Sequence, residues 1–161
     1  MVTSLGTMRE LDVLGVRVEM PSNVPMLLLK ESDGQRVLPI WIGAAEASAI
    51  ANALEGLVPP RPLTHDLLAE VLSELGHTQL EGRITDMSEG VFTAELVVDG
   101  HVISCRPSDL VALALRAGIV LTCPEELLDQ VGIVLDQPAD DEVERFREFL
   151  DNISADDFDE S

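Results

Sequence analysis

Three short polar clusters interrupt otherwise apolar stretches of this 161-residue chain. The first is Leu38-Pro-Ile-Trp-Ile-Gly-Ala-Ala-Glu46, where an extended run passes through Gly43 into a helical pattern. Backbone N–H groups left free at such a helix start can meet an anion or a carboxylate. The second is Arg61-Pro-Leu-Thr-His-Asp66. Histidine and aspartate can do acid–base work, and an arginine can hold a phosphate through paired hydrogen bonds. His65 and Asp66 are neighbours on a helix, so their side chains diverge and do not pair with each other. The third is Ser104-Cys-Arg-Pro-Ser-Asp109. Here Arg106 would clamp a phosphate, with Asp109 as metal ligand or base. Ser108 would be a nucleophile only beside a base, and no Gly-x-Ser-x-Gly elbow is present.

Each cluster also has a plain structural reading. Glu46 would merely complement the helix dipole while Trp41 packs. Thr64 would cap its helix, Asp66 would answer the dipole and His65 would face solvent. Arg106 and Asp109 would form an ion pair that fixes the turn, with Ser108 as the cap. What the clusters share weighs more than any one of them. All three stand at the N-terminal end of a helical segment that follows an extended one. Helices covering one sheet face with a common polarity would bring their positive ends together. Helix starts more than ~15 Å apart, beyond the screening length of physiological salt, would remove that idea.

The elements that must position these residues follow from periodicity and punctuation. Residues 9–20 alternate as a strand whose phase slips at Leu14-Gly15, the sign of a bulge. Two strands, 26–30 and 36–42, flank the turn Ser-Asp-Gly-Gln. An alanine-rich helix spans 44–54, and the stiff Val58-Pro-Pro-Arg-Pro segment must be extended. A helix from Thr64 to Leu75 carries Leu67, Leu68, Val71, Leu72 and Leu75 on one face. Strands 80–87, 91–98 and 101–105 make a meander. The helix 108–117, apolar throughout Leu110 to Leu115, should be buried on most sides. A short strand is expected at 119–121 and a small helix from Pro124. This order reads as α+β, a mixed, largely antiparallel sheet covered by helices.

Composition narrows the function classes. The chain has 10 Lys+Arg against 30 Asp+Glu, a formal charge of −20, with a single Lys. Long-range attraction to nucleic acid or an anionic membrane is excluded, because it needs positive charge. Residues 136–161 carry −9 of the net charge, leaving −11 for the rest. Within that segment Val143, Phe146, Phe149, Leu150 and Ile153 share a helical face. Residues 139–153 therefore read as an amphipathic helix docking on the body, and 154–161 as a solvated end. Residues 1–7 read as a short extension. No signal-peptide core or membrane-length apolar run occurs, and Cys105 and Cys123 form no motif, so a reduced cytoplasmic protein is the expectation. His65, His77 and His101 lack zinc spacing, whereas a carboxylate site for Mg²⁺ stays open.

The three clusters, in this order and spacing, resemble the bifunctional nuclease family (BFN domain). The matching segments are Leu38 to Glu46, Arg61-Pro-Leu-Thr-His-Asp-Leu-Leu68 and Ser104 to Ala114, and the likeness covers about residues 8–135. Cys105 and Leu110-Val111 depart from the family pattern without touching its polar positions. The resemblance implies a BFN-type single domain, hydrolysis of DNA or RNA phosphodiesters and a homo-oligomer, expected as a dimer. The residues' own chemistry assigns catalysis to His65, Asp66, Arg106 and Asp109, and substrate contacts to Arg61, Thr64, Ser108 and Glu46, and leaves Mg²⁺ open as a cofactor. Against so many carboxylates a short or single-stranded substrate fits better than a duplex. The rival expectation is a non-enzymatic cytosolic module that binds a small anion or a protein partner. A hydrolase of small phosphorylated metabolites stands between the two.

Overall fold

The computed structural model describes residues 6–135. The helix and tail expected beyond 136 lie outside the described residues. The alternating N-terminal run forms β1 (Met8–Glu19), and its pairing register shifts between Val13 and Gly15, where the sequence phase slips. Gly15 takes φ 148°, a conformation that a side chain would strain. β2 (Val24–Glu31) and β3 (Arg36–Trp41) make the expected hairpin. Helices α1 (Ala44–Leu54) and α2 (Thr64–Glu74) follow. The meander is β4 (Leu80–Ser88), β5 (Val91–Val98) and β6 (His101–Cys105), leading into α3 (Pro107–Ala117). The described chain closes with β7 (Leu121–Pro124), α4 (Glu125–Val131) and β8 (Ile133–Val134).

The eight strands of the described residues join one open sheet in the order β6-β5-β4-β7-β1-β2-β3-β8. Every pairing is antiparallel except β4 with β7, which makes the sheet mixed. β7 is short yet central, and its Leu121 and Cys123 are buried. It joins the meander to the N-terminal strands. Gly82 of β4 faces it at close range, since a Cβ there would stand 2.9 Å from Leu121 and 3.1 Å from Leu110. β7 begins later than periodicity indicates because Gly118 and Ile119 both donate to the Ala114 carbonyl, in a left-handed helix end that uses up those residues. β8 has only two residues and pairs with Arg36 and Val37, too brief for any pattern to mark it.

Helix α3 lies at the centre of the core, with Leu110 through Ala114 all buried, as its unbroken apolar run requires. α1 and α2 both pack on it. α2 departs from its pattern: only Leu72 of the leucine face is buried, while Leu67, Leu68, Val71 and Leu75 are exposed. Its main packing partner is α3, which leaves most of the leucine face uncovered among the described residues.

A charged network ties α4 to the hairpin end. Glu31, only 7% exposed, accepts from the Arg36 backbone N–H at 3.1 Å and from its Nε at 2.9 Å. Arg36 also reaches Asp129, and Arg9 of β1 holds Glu125 at 2.9 Å. The Arg36 guanidinium outweighs the cost of burial and draws the Glu31 carboxyl from an ordinary 4.5 down to about 2. A lowered carboxyl stabilises the fold above its unfolded value, so this contribution is complete at neutral pH. It disappears as pH falls from 4.5 toward 2. Glu31→Gln should cost about 2 kcal/mol at pH 7, reduced by the solvent access of Arg36. In urea titrations the gap between wild type and variant should narrow as pH falls below 4.5 and close only near pH 2; a gap constant across that range would refute the pairing.

Candidate functional site

The extended segments before α1, α2 and α3 all deliver their helices to one rim, and four side chains meet there. His65, the second residue of α2, brings Nε2 to 3.0 Å from Asp109 Oδ1. The other Asp109 oxygen accepts from Arg106 Nε at 2.8 Å. Arg106 Nη1 lies 3.7 Å from Glu46 Oε1, in the first turn of α1. The three helix starts therefore adjoin, and residues 63 positions apart in sequence are linked through one carboxylate and one guanidinium.

Local chemistry explains each placement. Pro107 occupies the first helical position of α3, where its missing N–H costs nothing, and Arg106 becomes the extended cap residue. Ser108 is consequently inside the helix and buried, and does not act as the cap. α2 is corrected in the same way. Its cap residue is Leu63, whose N–H donates to Asp66 Oδ2 at 3.0 Å, and Thr64 is the first helical residue. The Asp66 carboxylate takes over the capping that the Thr64 hydroxyl would have supplied, because a charged acceptor binds a backbone N–H more strongly.

The Asp109 carboxylate is held ionised. Burial pushes its pKa up, but hydrogen bonds from Arg106 and His65 outweigh this and bring it below the ordinary value. An ionised carboxylate only accepts, so His65 must carry its proton on Nε2 in this contact. In the neutral form of the ring, Nδ1 is then the lone-pair nitrogen. That is a general base with its tautomer fixed by a carboxylate. Arg106 is 64% exposed and can present its remaining donors to an outside anion.

The other expected residues separate from this group. Asp66 turns toward Arg116, accepting from its Nε at 2.7 Å, and that hydrogen bond above all lowers its pKa. Arg61 is exposed and joins no ion pair among the described residues. Thr64 is exposed, and Cys105 has its thiol pushed up by burial and by Asp109, which disfavours a thiolate nucleophile. Trp41, expected to pack, is exposed at the end of β3. No group of three or more His, Cys, Asp or Glu side chains is placed to share a metal ion among the described residues. No described helix is long and apolar enough to cross a membrane.

Sequence reading missed Arg116. Its Nη1 donates to the Ala112 carbonyl at 2.8 Å and its Nη2 to the Ala49 carbonyl at 3.0 Å, so one guanidinium joins all three helices. The available signal was a lone cation ending an apolar helix, which dipole preference alone accounts for.

These features define an α+β domain with one open mixed sheet and a histidine–carboxylate–guanidinium cluster at the joint mouth of three helices. The chain belongs to the bifunctional nuclease domain family, whose domain matches residues 27–136. Two proteins of Mycobacterium tuberculosis are similar to it: Uncharacterized protein MT1877 of strain CDC 1551 / Oshkosh and Uncharacterized protein Rv1829 of strain ATCC 25618 / H37Rv. Each is 49% identical over 161 residues, covering 94% of this chain and 98% of the relative.

Proposed function

We propose that the chain hydrolyses phosphodiester bonds of short or single-stranded DNA or RNA. The observation that carries this reading is the His65–Asp109–Arg106 cluster, assembled from two of the three family-like segments and bordered by Glu46 of the third. His65 Nδ1 takes a proton from water as the water oxygen bonds to phosphorus. The bond to the leaving oxygen breaks, and that oxygen recovers the proton. Arg106 moves its outer N–H groups onto the non-bridging oxygens, where charge accumulates. Asp109 keeps the imidazole in the reactive tautomer. Arg61 and Thr64 lie near the start of the same helix and serve substrate contact. Asp66 acts through the position of that helix.

Both oxygens of Asp109 are engaged, so a Mg²⁺ ion at this carboxylate would have to compete with Arg106. The decisive assay incubates purified protein with single-stranded DNA and RNA, with Mg²⁺ and with chelator, beside His65→Ala and Arg106→Ala. Cleavage by wild type and its loss in both variants is expected. Equal trace cleavage by all three proteins would identify a contaminant.

A second reading has its own observation. Asp66 is fully occupied by Arg116 and the Leu63 N–H, as in a purely structural joint. On that reading the chain is a non-enzymatic cytoplasmic homodimer that binds a small anion or a protein partner, and all variants lack activity equally.

A further inference from the structure

Arg106 has a second environment that the cleavage reading leaves unused. It borders a cleft of about 390 Å³, within the roughly 300–1,000 Å³ usual for small-molecule sites. The walls come from the passage between β3 and α1 (residues 40–43), the turn and start of β5 (90–92), and Arg106 to Ser108. Among the described residues no carboxylate lines this cleft, and Arg106 is the one charged residue in its wall. Two of the chain's five aromatic side chains, Trp41 and Phe92, line it. Trp41 is 55% exposed and Val91 is 64% exposed. Leaving a tryptophan face in water forfeits its burial energy, and the described residues leave more than half of this one uncovered.

An open aromatic face beside an exposed guanidinium complements a flat, amphipathic anion. We propose that this cleft binds one unpaired nucleotide of a single-stranded nucleic acid, its base stacked on Trp41 and its phosphate held by Arg106. The inference rests on the phosphodiesterase reading and names its substrate class. A base in a duplex has no free face to offer, whereas single strands stack on aromatic platforms whatever their sequence. Arg106 also shares Asp109 with His65, so a phosphate anchored here stands next to the proposed base. Asp109 and Glu46 flank Arg106 from outside the cleft wall, and the guanidinium's 64% exposure leaves N–H groups for the phosphate.

Trp41 is the chain's one tryptophan, so its fluorescence reports the site directly. Binding is measured at low salt in a His65→Ala background, which keeps strands intact. The probes are a thymidine decamer, a uridine decamer, an abasic decamer of equal phosphate number, and the thymidine decamer paired with its complement. Saturable quenching by both single strands is expected, with the abasic and duplex forms at least about 10-fold weaker. By anisotropy of labelled strands, Trp41→Ala should weaken binding about 10-fold and Trp41→Phe no more than about 3-fold, from typical base-stacking energies. Abasic strands that bind as tightly, or Trp41→Ala protein that binds as well as the parent, would overturn the proposal. So would the absence of saturable binding by any strand. If Trp41→Ala fails to fold, the abasic comparison and Trp41→Phe decide the matter. Iodide quenching of Trp41 that falls as protein concentration rises would place a second copy of the chain over the cleft and also overturn it. Stacking without any cleavage retains the cleft and removes the nuclease reading; cleavage with Trp41 silent does the reverse.

Discussion

His65→Ala should lower single-strand cleavage by about 10²- to 10⁴-fold, the usual worth of a positioned general base. The prediction follows from a proton count. Asp109, held ionised by Arg106, obliges His65 to donate from Nε2 and leaves Nδ1 as the nitrogen able to accept. Asp109→Asn keeps the side-chain shape but can donate as well as accept. It therefore releases the tautomer, and a loss of at least about 10²-fold is expected. Arg106→Ala should remove charge stabilisation and tautomer control together, so combining it with Asp109→Asn should cost less than the product of the single losses. His65 lies at a helix start with part of its ring in solvent, so its alanine variant should melt within a few degrees of wild type. Single-turnover cleavage of an end-labelled oligonucleotide checks all of these. A His65→Ala protein as active as wild type would remove the imidazole from the mechanism.

The second large effect concerns stability. Arg116→Ala should destabilise the fold by about 2–3 kcal/mol, the range for removing one partner of a largely buried charged contact that keeps some solvent access. Arg116 is 10% exposed, and its loss strands the Asp66 carboxylate and the carbonyls of Ala49 and Ala112 at one stroke. Asp66→Asn should cost less, since the amide oxygen can still accept from Arg116. The double variant should fall short of the sum of the single effects. The pH dependence has a definite sign. Asp66 titrates below its ordinary 3.8, so its contribution is present above that value and lost as pH falls beneath it. The penalty of Arg116→Ala should therefore shrink on acidification below pH 4. Urea unfolding at pH 7 and pH 3 measures this, and an unchanged penalty would show that the pair contributes little. Because α2 carries His65 and leans on α3, the same variant should also reduce cleavage.

Much of the local structure was legible in the residues. Runs such as Val91 to Val98 and Ala44 to Leu54 fall where alternation and helical spacing place them, because those patterns record which face of an element meets the core. The bulge at Gly15 and the helix end at Gly118 were equally plain, since each depends on a backbone shape that glycine favours. Caps were less legible. Thr64 and Ser108 have the right chemistry for a cap, yet Asp66 displaced the first by accepting from the Leu63 N–H, and Pro107 the second by taking the first helical position.

What sequence alone determined is therefore most of the described elements, with β8 the exception, the acidic charge and the three helix starts at which chemistry was to be sought. Tertiary structure decided how those starts combine. Asp109 pairs with His65 across 44 residues and Asp66 with Arg116 across 50, so the two carboxylates, equivalent on paper, take different duties. It also decided that Trp41 stays open beside Arg106 while most of the α2 leucine face goes uncovered. The physical reason lies in range. Periodicity and capping are set by residues within one or two turns of each other. Pair choice depends on strand order, and inserting β7 between β4 and β1 leaves no trace in any local pattern.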